Sequence, residues 1–424
     1  MIMEDIDIVI LGAGIAGLGA ALRARELGRS AVVFEKRERA GGLLDNFTVD
    51  GFRFDRAVHL SFASEPKVRE IFDRTPYLTH PADSLCFEDS RWLKHPVQNN
   101  LYPLPAQDKV GLIESFLKRS EELGGDDYES WLRHQYGDGI AERYPLRYTR
   151  KYWATEARDL STTWIGNRMR RAQLDEILYG AFTPDTPNTY YTKEMRYPEK
   201  GGFRSFIEPL IAQADIRCGH EVTAVDMAAR TVAFANGTVV RYRQLVNTLP
   251  LPMLVRLMLD APLAVAAAAD SLKATSVDLV SIGFRRNIIK DLWFYIYDED
   301  ILASRAYSPS VKSPDNVPDG CSSLQFEIYN RGETSLHTPE ALIENTRAAL
   351  RKMNIGTPED IIVIDHRVLN FGNVIFDQGM EAQRQKVLDY LRMAGIRSCG
   401  RFGAWEYFWS NQSFLSGYES VGDL

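Results

Sequence analysis

Ile6-Asp7-Ile8-Val9-Ile10-Leu11-Gly12-Ala13-Gly14-Ile15-Ala16-Gly17 joins a short apolar run to three glycines at fixed spacing. The run reads as a parallel strand buried on both faces, since such a strand needs apolar side chains on either side of its sheet. From Gly12 to Gly28 the apolar positions Ile15, Leu18, Leu22 and Leu27 read as a helix, and Gly28 is suited to stop it. Ala31 to Phe34 forms a second buried strand that ends at Glu35. Strand, helix and parallel strand need a right-handed crossover, so the chain opens on a βαβ unit. Gly12 permits the tight turn, Gly14 lets a diphosphate approach the backbone, and Gly17 allows helix and strand to pack closely. The diphosphate then faces the free N–H groups and positive end of the helix. Glu35 can accept from ribose hydroxyls and disfavours a 2′-phosphate.

The continuation Arg39-Ala40-Gly41-Gly42 narrows a dinucleotide site to one for FAD, because a guanidinium and a glycine pair just after the acid bring charge and backbone onto the diphosphate. The expected cofactor-binding residues are Gly12, Gly14, Gly17, Glu35, Arg39, Gly41 and Gly42, with Val222 later in the chain.

Further on, Asp50-Gly51 between Asn46–Val49 and Phe52–Asp55 is a two-residue hairpin signal, and Asn236-Gly237 between Val232–Ala235 and Thr238–Tyr242 is another. Residues from about Pro105 to Met195 lack strand alternation and read as mostly helical. Val277–Phe284, Leu292–Ile296 and Leu324–Ile328 return to strand-like runs. With 424 residues, two or three structural units are expected. The fold class is α/β: a Rossmann-like FAD-binding domain (1–85, 198–250 and 366–424), a helical insertion (101–197) and an antiparallel β-sheet substrate domain (86–100 and 251–365).

The formal charge of −7 argues against nucleic-acid partners, which call for a basic surface. Cys86, Cys218, Cys321 and Cys399 are scattered, so neither a metal site nor a disulfide framework is expected and a reducing, cytoplasmic setting is. The acidic start is unlike a signal peptide, and no apolar run approaches membrane-spanning length. A homo-oligomer stays open.

At Ala57-Val58-His59-Leu60, Trp92-Leu93-Lys94-His95-Pro96-Val97-Gln98-Asn99-Asn100, Trp164-Ile165-Gly166-Asn167-Arg168 and Gly400-Arg401-Phe402-Gly403-Ala404-Trp405-Glu406-Tyr407, the chain resembles UDP-galactopyranose mutases. Pro96-Val97-Gln98-Asn99-Asn100 is most similar to the eukaryotic type. More distantly, the chain resembles amine oxidases and protoporphyrinogen oxidases. The resemblance implies a flavin-dependent mutase that interconverts pyranose and furanose forms of a nucleoside-diphosphate sugar. In that family reduced flavin N5 is the nucleophile at the anomeric carbon and there is no net redox change. FAD is then active when reduced, with NADPH or NADH as candidate external reductants.

By the same resemblance His59, Arg168 and Arg305 are the catalytic candidates, the arginines gripping the diphosphate. Gln98, Trp153, Lys312, Tyr407 and Asn411 join those arginines in contacting substrate, and Arg401 lies near the flavin. Read without the family, the arginines are surface residues, His59 is a core histidine satisfied by backbone, Trp153 is plain core and Gln98 caps a loop. Arg401, Tyr407 and Asn411 then belong to a glycine-rich turn. The chain departs from the family at Lys312 and Met380, where tyrosines bind phosphate oxygens, at His95, also a tyrosine, and at Thr149, an asparagine on the base. Lys312 offers a point charge in place of a hydroxyl. These changes imply that UDP-galactopyranose is a poor substrate and another nucleotide sugar a better one. Two rival readings are an amine-oxidase-type oxidoreductase and a flavin-binding protein without turnover.

Overall fold

The structure is a computed structural model that describes residues 3–166, 168–169, 173–188 and 194–422. Asn167, Arg170 and Arg171, adjacent to one of the predicted arginines, lie outside the described residues. The opening βαβ unit forms as its pattern dictates. Glu4–Leu11 pairs in parallel with Ala31–Phe34, and the helix Ile15–Glu26 crosses between them. Gly28, at φ +69°, closes the helix: its N–H donates to Arg25 O, and the next N–H, of Arg29, reaches back to Ala24 O.

The first sheet has seven strands. Six run in the order Val222–Asp226, Thr231–Phe234, Val239–Asn247, Glu4–Leu11, Ala31–Phe34 and Asp215–Arg217, and Ile396–Ser398 pairs with Val239–Asn247. The second hairpin signal thus adds an antiparallel flap to a parallel core. At the first hairpin, Asp50 and Gly51 both take positive φ, as a two-residue turn between twisted strands requires.

The second sheet also has seven strands, ordered Ile361–Leu369, Thr275–Phe284, Ser322–Arg331, Arg305–Tyr307, Trp293–Ile296, Leu85–Glu88 and Arg91–Lys94. One of its pairs, Trp293–Ile296 with Leu85–Glu88, is parallel, so the expected antiparallel sheet is mixed at that point. Two expected boundaries also move. Ile361–Leu369 pairs along Thr275–Phe284, which carries this sheet past residue 365. Helices Leu251–Leu257 and Leu263–Ser271 pack with Val222–Asp226 and Met380–Met393, on the side of the first sheet. The helices from Ala106–Leu117 to Leu174–Phe182 pack on one another, and Pro145–Trp153 packs against Ser322–Arg331 of the second sheet.

Every residue of Thr275–Phe284 is buried, including Ser276, Asp278 and Ser281. These polar groups survive burial because they are paired: His366 Nε2 lies 2.7 Å from Asp278 Oδ1, Asn330 donates to Asp278 Oδ2 at 2.7 Å, and Gln325 donates to Ser281 at 2.8 Å. No helix among the described residues is long and apolar enough to cross a membrane.

Candidate active site

One cavity of about 1390 Å³ runs from the glycine turn of the first sheet, past the helices, to the face of the second sheet. Gly12, Gly14, Glu35, Gly41, Gly42, Val222 and Arg401 line it, as do His59, Gln98, Trp153, Arg168, Arg305 and Tyr407. Residues from all three predicted regions therefore meet in a single space.

At the glycine end, a Cβ on Gly17 would sit 2.0 Å from Gly12 O, so only glycine lets the helix approach the strand this closely. A Cβ on Gly14 would meet nothing within 4 Å; the backbone there faces open cavity, room for a group that must touch the main chain. Gly41 N–H donates to Ala13 O at 2.8 Å and docks the second glycine pair on the first. Glu35 accepts from Ala13 N–H at 2.9 Å and Arg37 N–H at 3.0 Å, which aims its carboxylate at the cavity.

Cationic charge gathers beside this cradle. The nearly buried carboxylate of Asp45 pairs with Arg39 at 3.2 Å, Arg56 at 3.6 Å and Arg204 at 3.1 Å. Arg39 is 55% exposed and off the cavity wall; Arg37 and Arg56 line it instead. Arg56 Nε is buried without a partner among the described residues. Burial, and then the neighbouring Arg37, lower the Arg56 pKa, an arrangement that an anion would relieve. Open backbone, an acid placed for ribose and an unsatisfied cationic donor together fit FAD.

His59 stands on the wall between the cradle and the second sheet. Its Nε2 lies 2.9 Å from Leu43 O and 3.1 Å from Arg56 O. Carbonyls only accept, so Nε2 carries the proton and Nδ1 is left with a lone pair. Desolvation lowers its pKa, which keeps the ring neutral.

The two arginines expected to grip a diphosphate are held in different ways. Arg168 donates to Trp164 O at 3.0 Å and Tyr407 O at 2.7 Å, and lies over the rings of Tyr407 and Trp409 at 4.8 and 4.9 Å. Desolvation raises the pKa of the nearby Glu406, and the charges of Arg384 and Arg168 pull it down. Arg305 pairs with the fully buried Glu327, donates to Tyr329 Oη at 3.0 Å and lies 5.2 Å over the Tyr152 ring. Burial works against both charges of that pair, but their mutual attraction raises the Arg305 pKa and lowers that of Glu327.

Around them stands an aromatic wall. The helix Pro145–Trp153 presents Tyr148, Thr149, Tyr152 and Trp153 to the cavity, the pairs Tyr148/Tyr152 and Thr149/Trp153 each one helical turn apart. Tyr148 stacks on Tyr152 with centroids 5.5 Å apart, and Tyr152 Oη lies 2.9 Å from Tyr407 Oη. Trp153 packs on Trp164 at 4.8 Å and on Tyr407 at 5.3 Å. Arg401 donates to Phe408 O and Asn373 Oδ1, joining the C-terminal turn to the sheet.

Two expected substrate contacts are not on the wall. Lys312 is fully buried, with Nζ 3.3 Å from Asp55 Oδ2 and 4.0 Å from the Tyr307 ring centroid, so its charge answers Asp55 and not the cavity. Asn411 donates to Glu65 at 2.7 Å and lies off the wall. Met380 belongs to the apolar core. Thr149 reaches the wall, but its hydroxyl donates to Pro145 O at 2.7 Å. The reading of the sequence passed over Glu327, Tyr148, Tyr329, Asn373, Arg37 and Arg56. An acid between Phe326 and Ile328 was the available signal for the first of these.

The fold and its cradle define a flavoprotein whose cofactor site opens into a chamber lined by aromatic side chains and arginines. The chain belongs to the flavin containing amine oxidoreductase family, whose model matches residues 15–373, and FAD is the cofactor that family implies. It is similar to a crystal structure of reduced UDP-galactopyranose mutase, with 27% identity, coverage of 98% of this chain and 94% of that one, and a TM-score of 0.92. A putative protoporphyrinogen oxidase from Exiguobacterium sp. 255-15 shares the fold at 18% identity, 99% and 98% coverage and a TM-score of 0.74. By sequence, the chain is similar to all-trans-retinol 13,14-reductase of Danio rerio, 30% identical over 149 residues. That match spans 32% of this chain and 23% of the fish protein, so less than a quarter of the relative is represented.

Proposed function

We propose that this protein is a flavin-dependent nucleotide-sugar mutase, interconverting pyranose and furanose forms without net oxidation. The observation that carries the reading is that two guanidinium groups, Arg168 from the helical region and Arg305 from the second sheet, share one cavity with the FAD cradle. An oxidase acting on a small neutral molecule has no use for such arginines, whereas a diphosphate matches them with its oxygens. The 27%-identical likeness to a reduced mutase supports the same reading.

Bound reduced FAD would supply the nucleophile. The chain's own residues do the rest. Arg168 and Arg305 hold the diphosphate both before and after it leaves the sugar, so the leaving group stays in place to return. The Tyr152–Tyr407 pair offers a hydroxyl beside the same charges, while that of Tyr329 is already given to Glu327. The wall of Tyr148, Trp153 and Trp164 excludes water, which strengthens each charged contact and spares reactive species from hydrolysis. Orientation of this kind is worth several orders of magnitude in rate.

Incubating dithionite-reduced protein with a panel of nucleotide sugars, resolved by chromatography, tests the reading. It predicts ring-contracted product with at least one sugar; no conversion across the panel contradicts it. A second reading, redox chemistry on an apolar substrate, draws on the likeness to retinol reductase and on the aromatic cavity. Under it, an organic substrate or product would exchange electrons with the flavin stoichiometrically.

A further inference from the structure

Glu327 is an acid in the strand Ser322–Arg331, flanked by Phe326 and Ile328, and it is fully buried. A carboxylate in such a place costs several kcal/mol unless its lone pairs are used. Here both oxygens are. Oε1 accepts Val58 N–H at 2.8 Å, and Oε2 accepts Arg305 Nε–H and, at 2.7 Å, Tyr329 O–H. Arg305 and Glu327 stand directly opposite one another in the antiparallel pairing, so backbone register enforces the contact. With Nε on Glu327 and Nη2 on Tyr329, the guanidinium keeps its Nη1 edge for the cavity. Val58 immediately precedes His59 on the loop that faces the cofactor cradle. Glu327 itself is absent from the cavity wall.

We propose that Glu327 is a positioning residue, fixing the Arg305 side of the anion clamp and the 57–60 loop of the cofactor domain in one relation. The proposal rests on the mutase reading for what Arg305 grips. Stability alone gives little reason for the acid: buried ion pairs are often no more stabilising than apolar packing of the same volume, so what this one contributes is geometry. Through it, a shift of the loop beside the cofactor is felt at Arg305, and the anion and the cofactor stay in register.

The test uses the full-length FAD-loaded protein with Glu327→Gln, Arg305→Gln and the double variant. The amide keeps the shape and an acceptor for Val58 N–H, but sets N–H against N–H at Arg305. UDP affinity is read from flavin absorbance with the oxidised protein, and turnover with whichever nucleotide sugar the wild type converts fastest. Glu327→Gln should bind UDP as tightly as wild type or more tightly, because Arg305 loses its counter-charge, while turnover falls about tenfold or more from lost alignment. In the Arg305→Gln background, Glu327→Gln should change UDP affinity no further. A Glu327→Gln variant with wild-type turnover, one that weakens UDP as much as Arg305→Gln does, or additive losses in the double variant would overturn the proposal. Should Glu327→Gln not fold, Tyr329→Phe removes one of the two orienting bonds and spares the ion pair. It should lower turnover at unchanged UDP affinity, and unchanged turnover counts against the proposal. If no sugar turns over even in wild type, the mutase reading fails, and the UDP titrations still judge Glu327.

Discussion

Arg168 and Arg305 look alike in sequence and differ in electrostatics. Arg168 donates to two main-chain carbonyls, whereas Arg305 is paired with the fully buried Glu327. On the mutase reading, Arg168→Ala should weaken UDP binding by about 2–4 kcal/mol. Arg305→Ala should weaken UDP binding too and, in addition, lower stability by about 3–5 kcal/mol, since it leaves a buried carboxylate unpaired. Arg150, which pairs with Glu299 at the surface, serves as the control and should be neutral in both measurements. UDP titrations and urea denaturation of the three variants check this, and equal losses of affinity from Arg168 and Arg150 would contradict it. Arg168 and Arg305 became legible through the motifs around them and not through their own surroundings, because a guanidinium carries no sign in sequence of which charge it will meet. Lys312 misled for the same reason: its partner Asp55 is 257 residues away.

Among elements, those set by local pattern were the easiest to read. The glycine turn, its helix and the Asp50-Gly51 hairpin follow from neighbours only a few residues apart, and they formed as written. The helix Pro145–Trp153 was harder, since its Tyr148/Tyr152 and Thr149/Trp153 pairs look like core until a second sheet faces them. The short helix Pro309–Lys312 ends on the pair with Asp55, itself the last residue of the hairpin strand Phe52–Asp55. Lys312→Met should lower stability by about 3–5 kcal/mol, as Asp55 would lose its cation, and leave UDP affinity unchanged. A weakened affinity without a loss of stability would return Lys312 to the anion site. After the strand Arg91–Lys94 comes His95, whose pKa desolvation lowers from 6.5 to about 4. An unfolded chain therefore binds a proton in that interval that the folded one refuses, and stability falls as pH drops from 6.5 towards 4. His95→Tyr removes that term, so melting curves from pH 7 to 4 should converge less steeply on the acid limb for the variant. Parallel acid limbs would show that His95 is not the group responsible.

At the scale of the whole molecule, two sheets separated in sequence by interleaved segments bring a cofactor cradle, Arg168 and Arg305 to one aromatic cavity. That convergence lay beyond any local pattern: Arg168 and Arg305 belong to different regions, and Tyr407 reaches Arg168 from near the other end of the chain. The family fixes a flavoprotein, and its members include oxidoreductases, so the decisive question is whether electrons are consumed. The direct measurement is anaerobic conversion of a nucleotide sugar by protein reduced with a counted amount of dithionite, with product and flavin absorbance followed together. A mutase gives many products per reducing equivalent while the flavin stays reduced. One product per reducing equivalent with the flavin returning to its oxidised spectrum, or bleaching of the oxidised flavin by the organic substrate itself, would contradict the account and establish a redox enzyme.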